Sequence, residues 1–187
     1  GDGGPAKDAL FSDALRTIKK DSENNFYVLD GLNGRVRKIT KNIQGIDIIT
    51  TIAGSNTFSG DGGKGEYAKI FCPVGLNFDS QKNLVFADAC NYRVRKVDTT
   101  TGIITTIAGN GEPGNYDING FDAKEAAMPL GIRGMTYSQG ELFIGFNVGL
   151  FRINSQNKFD FLINSSAGNK DGPVAVDQAS ILDIWDM

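Results

Sequence analysis

Four charged residues stand out by type and spacing. Asp30 and Arg35 flank the segment GLNG, Asp88 and Arg93 flank ACNY, and the two pairs lie 58 residues apart. Such positions face each other across a hairpin mouth, so an ion pair carrying a charge-assisted hydrogen bond is expected at each. The competing chemistry is a repeated anion site, with each guanidinium forking onto a carboxylate or phosphate. A third hairpin favours the structural pair: Phe146 stands at the place of Asp88 and Gly149 at that of Arg93, so acid and base are lost together. Asp2 and Asp61 sit in two GDGG loops. Calcium binds in oxygen-rich loops, but each of these offers one carboxylate without D-x-D-x-D spacing. An aspartate in such a turn is expected to bond its own backbone while glycine takes positive φ. No GK[ST] follows the glycines, so they make no phosphate loop.

The wider inventory argues against most catalytic chemistries. There is no histidine, the commonest general base and transition-metal ligand. Ser138, Ser155 and Cys72 have no partner base at a recognisable spacing. Cys72 and Cys90 are too few for a four-ligand zinc site. Calcium with Asp and Glu as acid and base stays open, since it needs no histidine. With 19 basic and 22 acidic residues, the net charge of −3 provides no field for nucleic acid or an anionic membrane. The basic runs RVRKI and RVRKV split between strand faces, Arg93 and Arg95 on one and Lys96 on the other, so no RNA surface is expected. No apolar run approaches the ~20 residues of a membrane helix.

These residues sit on short β-rich segments that recur. NFYVLD, GRVRKIT and IITTIAG (25–54) return as NLVFAD, RVRKVD and IITTIAG (83–109), and more loosely as ELFIGF, GLFRIN and FDFLINSSAG (141–168). GDGG opens the chain, returns at Gly60, and decays to NG at Asn119 and DGP at Asp171. A period in the fifties signals an array of supersecondary units. A further extended segment precedes each set (14–20, 74–79, 131–137), so each unit holds four antiparallel strands joined by short hairpins. That is the pattern of a propeller blade, whose two faces are both covered by neighbours. The expected fold is an all-β partial β-propeller. Blade 1 spans about 14–54, blade 2 about 73–109 and blade 3 about 131–168, and 169–187 holds a link and, in SILDIWDM, the first strand of a fourth.

GDGGPA, Pro73, Gly75, Asp79, Asn83–Leu84, Ala87–Asp88, Asn91, Arg93–Val97 and Ile103–Gly109 together resemble the NHL-repeat family. The resemblance is strongest over 60–109 and weak over 114–168. It implies a propeller, usually of six blades, and says little of activity, because propellers host many functions. Some propellers of similar architecture are lyases and lactonases that use metal ions at the central channel. The reading here is a non-enzymatic binding or scaffolding module for protein, glycan or self-association, with no cofactor. The alternative is a fragment of a calcium-dependent hydrolase or lyase. Acidic and amide side chains converging on the axis would favour the enzyme; apolar or unpaired residues there would favour the binding module.

Three expectations are specific. Counting outward from the turn at Gln81 pairs Asp79 with Asn83, Leu76 with Phe86 and Cys72 with Cys90, so a disulfide is expected, set against two buried thiols. A bridge would point to an extracellular or secreted protein rather than a cytoplasmic one. Asn164-Ser165-Ser166 is a candidate glycosylation sequon. Three blades leave two uncovered faces, expected to expose Val28, Val36 and Ile39 at one end and Phe143, Ile144 and Phe151 at the other. The chain is therefore expected to be part of a longer polypeptide, or to complete a ring or filament by self-association.

Overall fold

The structure, a computed structural model, describes residues 1–54, 60–147 and 149–164. Three four-stranded antiparallel sheets follow one another in the chain. The first contains β1 (Leu15–Lys20), β2 (Phe26–Asp30), β3 (Arg35–Lys41) and β4 (Asp47–Ala53). The second contains β5 (Pro73–Phe78), β6 (Leu84–Asp88), β7 (Arg93–Val97) and β8 (Ile104–Ala108). After a two-residue parallel pair, β9 (Pro113–Gly114) and β10 (Met128–Pro129), the third contains β11 (Ile132–Ser138), β12 (Glu141–Phe146), β13 (Gly149–Ile153) and β14 (Phe159–Asn164). Strand order in every sheet is the order in the chain. SILDIWDM, and the Ser165 and Ser166 of the sequon, lie outside the described residues.

Aspartates fix the hairpin turns. Asp21 Oδ1 accepts the N–H groups of Glu23 and Asn25, and Asp79 Oδ1 accepts those of Gln81 and Asn83. A short side-chain acceptor thus closes the turn, and Asn24 and Lys82 take positive φ within it.

The core lies between sheets. Tyr27, Leu29 and Val36 of the first sheet pack with Leu76, Leu84, Phe86, Val97 and Ile104 of the second. Val85, Ala87, Val94 and Ala108 on the second sheet's other face pack with Leu142, Ile144, Phe151 and Phe159 of the third. Apolar residues at successive strand positions are therefore buried on both faces, which is why the strands do not alternate cleanly.

Each sheet also carries its own cover. Residues 60–72 lie across the second sheet: Gly62 N–H donates to the Ile104 carbonyl, Ile104 N–H to that of Gly63, and Ala68 and Ile70 enter the core. Residues 1–13 lie across the first sheet in the same way, with Gly3 and Gly4 bonded to Ile49. In the third, Ile118, Ala123, Ala126 and Met128 of the preceding link enter the core.

This cover corrects the expected exposure at the ends. Val36, Ile144 and Phe151 are buried because they face the second sheet, and Val28 is buried beside Arg37 on the face that residues 1–13 cover. Ile39 and Phe143 are half-buried. The first sheet does have an open apolar stripe, but on other residues. Ile18 is 58% exposed and Phe26 45%, whereas Leu76 and Met135, at the place of Ile18, are 0% and 4%, and Leu84 and Leu142, at the place of Phe26, are 0% and 2%. In the second and third sheets, a preceding sheet covers these positions.

Candidate functional site

The repeated acid–base positions form a site, but not with the expected partners. Asp30 and Arg35 are opposite each other in the β2–β3 register, as are Asp88 and Arg93 in β6–β7. The side chains nevertheless pair diagonally. Asp88 Oδ2 lies 3.4 Å from Arg95 Nη1, and Asp30 Oδ2 lies 3.8 Å from Arg37 Nη1. Both aspartates are buried, and so are both arginines. Hydrogen bonds already engage the carboxylates at the hairpin mouth. Asp88 accepts the Phe71 N–H at 2.7 Å and the Asn91 amide at 3.0 Å; Asp30 accepts the Ser12 N–H and hydroxyl and the Asn33 amide. Arg93 turns away, donating to the carbonyls of Asn91 and Asn110 and so tying the hairpin to the next link.

Each buried arginine reaches a second acid. Arg37 Nη2 donates to Asp2 at 2.7 Å and Arg95 Nη2 to Asp61 at 2.8 Å. The GDGG aspartates thus do not close their own turns. Asp61 also accepts the N–H of Thr106 on β8, so it pins the link to the outermost strand and the arginine together. The repeating unit is an Asp–Arg–Asp relay from the link to the floor of the sheet.

The third sheet has lost the relay as a set. Phe146 stands at the place of Asp88 and Phe151 at that of Arg95, with their rings edge to face at 5.4 Å. Asn119, the remnant of GDGG, still accepts the Phe161 N–H as Asp61 accepts that of Thr106, but it has no charge to offer an arginine. A buried ion pair needs both members or neither, because one alone is an uncompensated charge in low dielectric. Burial pushes the Asp88 carboxyl up, against the Phe71, Asn91 and Arg95 bonds that pull it down. Burial also raises Asp30, but the Asn33 and Ser12 bonds outweigh it and leave the carboxyl below its ordinary value.

Cys72 and Cys90 are joined in a disulfide with their Cα atoms 5.4 Å apart. The expected bridge is present, although by a different register. A bulge between Val74 and Leu76 pairs Pro73 with Asp88, and the short turn Ala89–Asn91 brings Cys90 back to Cys72. Asn164 ends β14.

The innermost strands β1, β5 and β11 lie side by side, and each has a bulge in its first half. Asn77 donates from its amide to the Met135 carbonyl at 2.6 Å, joining β5 to β11. At the bulges Arg16, Val74 and Arg133 occupy equivalent places, around a cleft of about 190 Å³ that Thr17, Gly75 and Gly134 also line. No carboxylate lines it. Among the described residues, no cluster of three or more His, Cys, Asp or Glu is placed to hold a metal ion, and no helix is long and apolar enough to cross a membrane.

Three sequential four-stranded sheets, packed face to face with their first strands together, define a segment of a β-propeller. The chain shares this fold with an auxiliary nutrient binding protein of Bacteroides thetaiotaomicron (TM-score 0.57, 21% identity, 69% of this chain and 34% of that one) and with another from Bacteroides ovatus (TM-score 0.51, 18% identity, 69% and 34%). No family model matches the chain. It is 34% identical over 71 residues to the human NHL repeat-containing protein 2, a match spanning 37% of this chain and 10% of that relative's length. That relative is named for NHL repeats, the family whose motifs the repeats of this chain resemble.

Proposed function

We propose that this chain is a non-enzymatic binding module that associates through the open face of its first blade. The observation that carries this reading is the stripe of Ile18 and Phe26, joined by Leu15 at 48% exposure. Every equivalent position in the other two blades is buried against a preceding blade, so the face has the shape and polarity of half a blade–blade interface. The partner is the far face of the third blade in a second copy, where Phe143 stands at the place of Tyr27. A stripe of this character is what marks association sites on proteins in general.

The axis supports binding over calcium-dependent catalysis. Its cleft presents two guanidinium groups, which repel a cation, where a calcium lyase would need converging oxygens. The repeated aspartates have their oxygens committed to arginines and backbone N–H groups. The disulfide supports an oxidising, extracellular setting.

Sedimentation over a range of concentrations tests the reading. Self-association that Ile18→Lys and Phe26→Lys each abolish, while melting behaviour is kept, is the expected result. A chain that stays monomeric at high concentration, or whose association both substitutions leave unchanged, would overturn it.

A further inference from the structure

We infer that the axial cleft between the three inner strands is a binding site for a small dianionic ligand bearing a phosphoryl group or two carboxylates. Two guanidinium groups, Arg16 and Arg133, line one small cleft with no carboxylate among its lining residues, in a chain whose net charge is −3. Neither arginine has an acidic partner within ion-pair distance among the described residues, which they share with Arg35 and Arg93 but not with Arg37, Arg95 and Arg152. Like charges held near one another are unfavourable unless an anion lies between them. Arginine is the side chain whose planar donors match a carboxylate or phosphoryl group two bonds at a time.

Both side chains are held in place. Arg133 donates from Nε to the Asn147 side-chain oxygen, which restrains the guanidinium beside the cleft it lines. The stem of Arg16 lies against Gly31, where an added Cβ would come within 3.2 Å of its Cγ. The surrounding backbone adds neutral donors. Each inner strand is an edge strand, with one row of N–H groups outside the sheet, and each bulge removes a further residue from the ladder. Thr17 adds a hydroxyl. At Gly75 an added Cβ would lie 2.5 Å from the Met135 Cγ, so this glycine lets β5 and β11 pack closely where they line the cleft. A cleft of about 190 Å³ admits a phosphate or a short dicarboxylate and no folded partner. The site is separate from the blade-1 stripe and does not depend on it.

The test is calorimetric titration of inorganic phosphate and, separately, succinate into the chain, at fixed ionic strength with chloride as reference. Saturable binding of at least one probe is expected, and which one binds distinguishes a phosphoryl ligand from a carboxylate. Arg16→Gln and Arg133→Gln should each weaken it about tenfold or more, and the double variant should abolish it. Without probe and at low salt, the variants should melt at or above the temperature of the unaltered chain, because one of two like charges has gone. Heats indistinguishable from chloride, or wild-type affinity in either variant, would overturn the assignment. A lowered melting temperature in the variants would do the same, since it would make the arginines structural.

Discussion

Replacing Asp88 by asparagine isolates what the relay contributes to stability. The substitution keeps the size of the side chain and one acceptor oxygen for the Phe71 N–H, but leaves Arg95 buried beside a neutral group. Removing one member of a buried pair typically costs about 3–5 kcal/mol, mostly from the charge left behind. Arg95 keeps Asp61 at 2.8 Å, whose side chain is half exposed, so the lower end of that range applies. For a chain of this size, about 3 kcal/mol corresponds to a fall in melting temperature of roughly 6–12 °C. The same bond count makes Asp61→Asn milder, about 1 kcal/mol, because its partially solvated carboxylate is the weaker half of the relay. The double variant Asp88→Phe/Arg95→Phe copies the third blade, where Phe146 and Phe151 fill the same places. It should recover most of the loss, since exchanging a buried ion pair for a packed apolar one is often near neutral. Thermal melting at neutral pH, with urea titration of the same set, reads all three. An Asp88→Asn variant within about 2 °C of the unaltered chain would refute the reasoning, as would a double variant less stable than the single one.

Other perturbations have equally definite outcomes. Cys90→Ser, or reduction of the Cys72–Cys90 bridge, opens a loop of 18 residues and should cost about 3 kcal/mol; a melting temperature indifferent to reductant would contradict this. Gly54 has φ +104°, and an added Cβ would press on the Gly34 carbonyl and lie 2.8 Å from the Arg35 Cα. Gly54→Ala should therefore cost about 2 kcal/mol or more, read by the same melts, and a neutral effect would count against the close approach of those strands. The folded-state carboxyl of Asp30 lies below its ordinary 3.8, so its contribution to stability is present above that value and lost as pH falls through the lowered one. Stability measured from pH 6 to pH 2 should fall less steeply in Asp30→Asn than in the unaltered chain; parallel curves would remove Asp30 from the acid limb.

The repeat made the sheets readable, and particular residues show where reading stopped. Strand positions followed from spacing, because four extended segments of one period can bury both faces only as stacked blades. Partner choice did not follow from register. Counting across the hairpin gives Arg35 and Arg93, which are indeed opposite in the ladder, but side chains on one face also reach diagonal neighbours, and Arg37 and Arg95 were nearer the carboxylates once Asn33, Asn91 and the link had occupied the mouth. A signal for the true partners was present in the third unit, where Phe146, Phe151 and Asn119 replace Asp88, Arg95 and Asp61 together. The disulfide was found by a count that omitted the bulge at Gly75, and the Ala89–Asn91 turn supplied the missing residue of slack. The axial arginines gave no sequence signal, because Arg16 and Arg133 stand in strands where basic residues are ordinary and only the stacking of three blades brings them to one cleft.

The placement of the links has a consequence for how such chains lengthen. Among the described residues, the segments at 1–13 and 60–72 and the link before the third sheet lie on the sheet that follows, held there by Asp2, Asp61 or Asn119, and the latter two also enter the core shared with the sheet before. A duplication boundary set just after an outermost strand would therefore copy the cover, its anchor and the blade as one inheritable cassette. An inserted cassette would meet its upstream neighbour with a finished joint and present the same kind of surface downstream. Divergence could then proceed one unit at a time, as the aromatic third blade beside its two charged predecessors records.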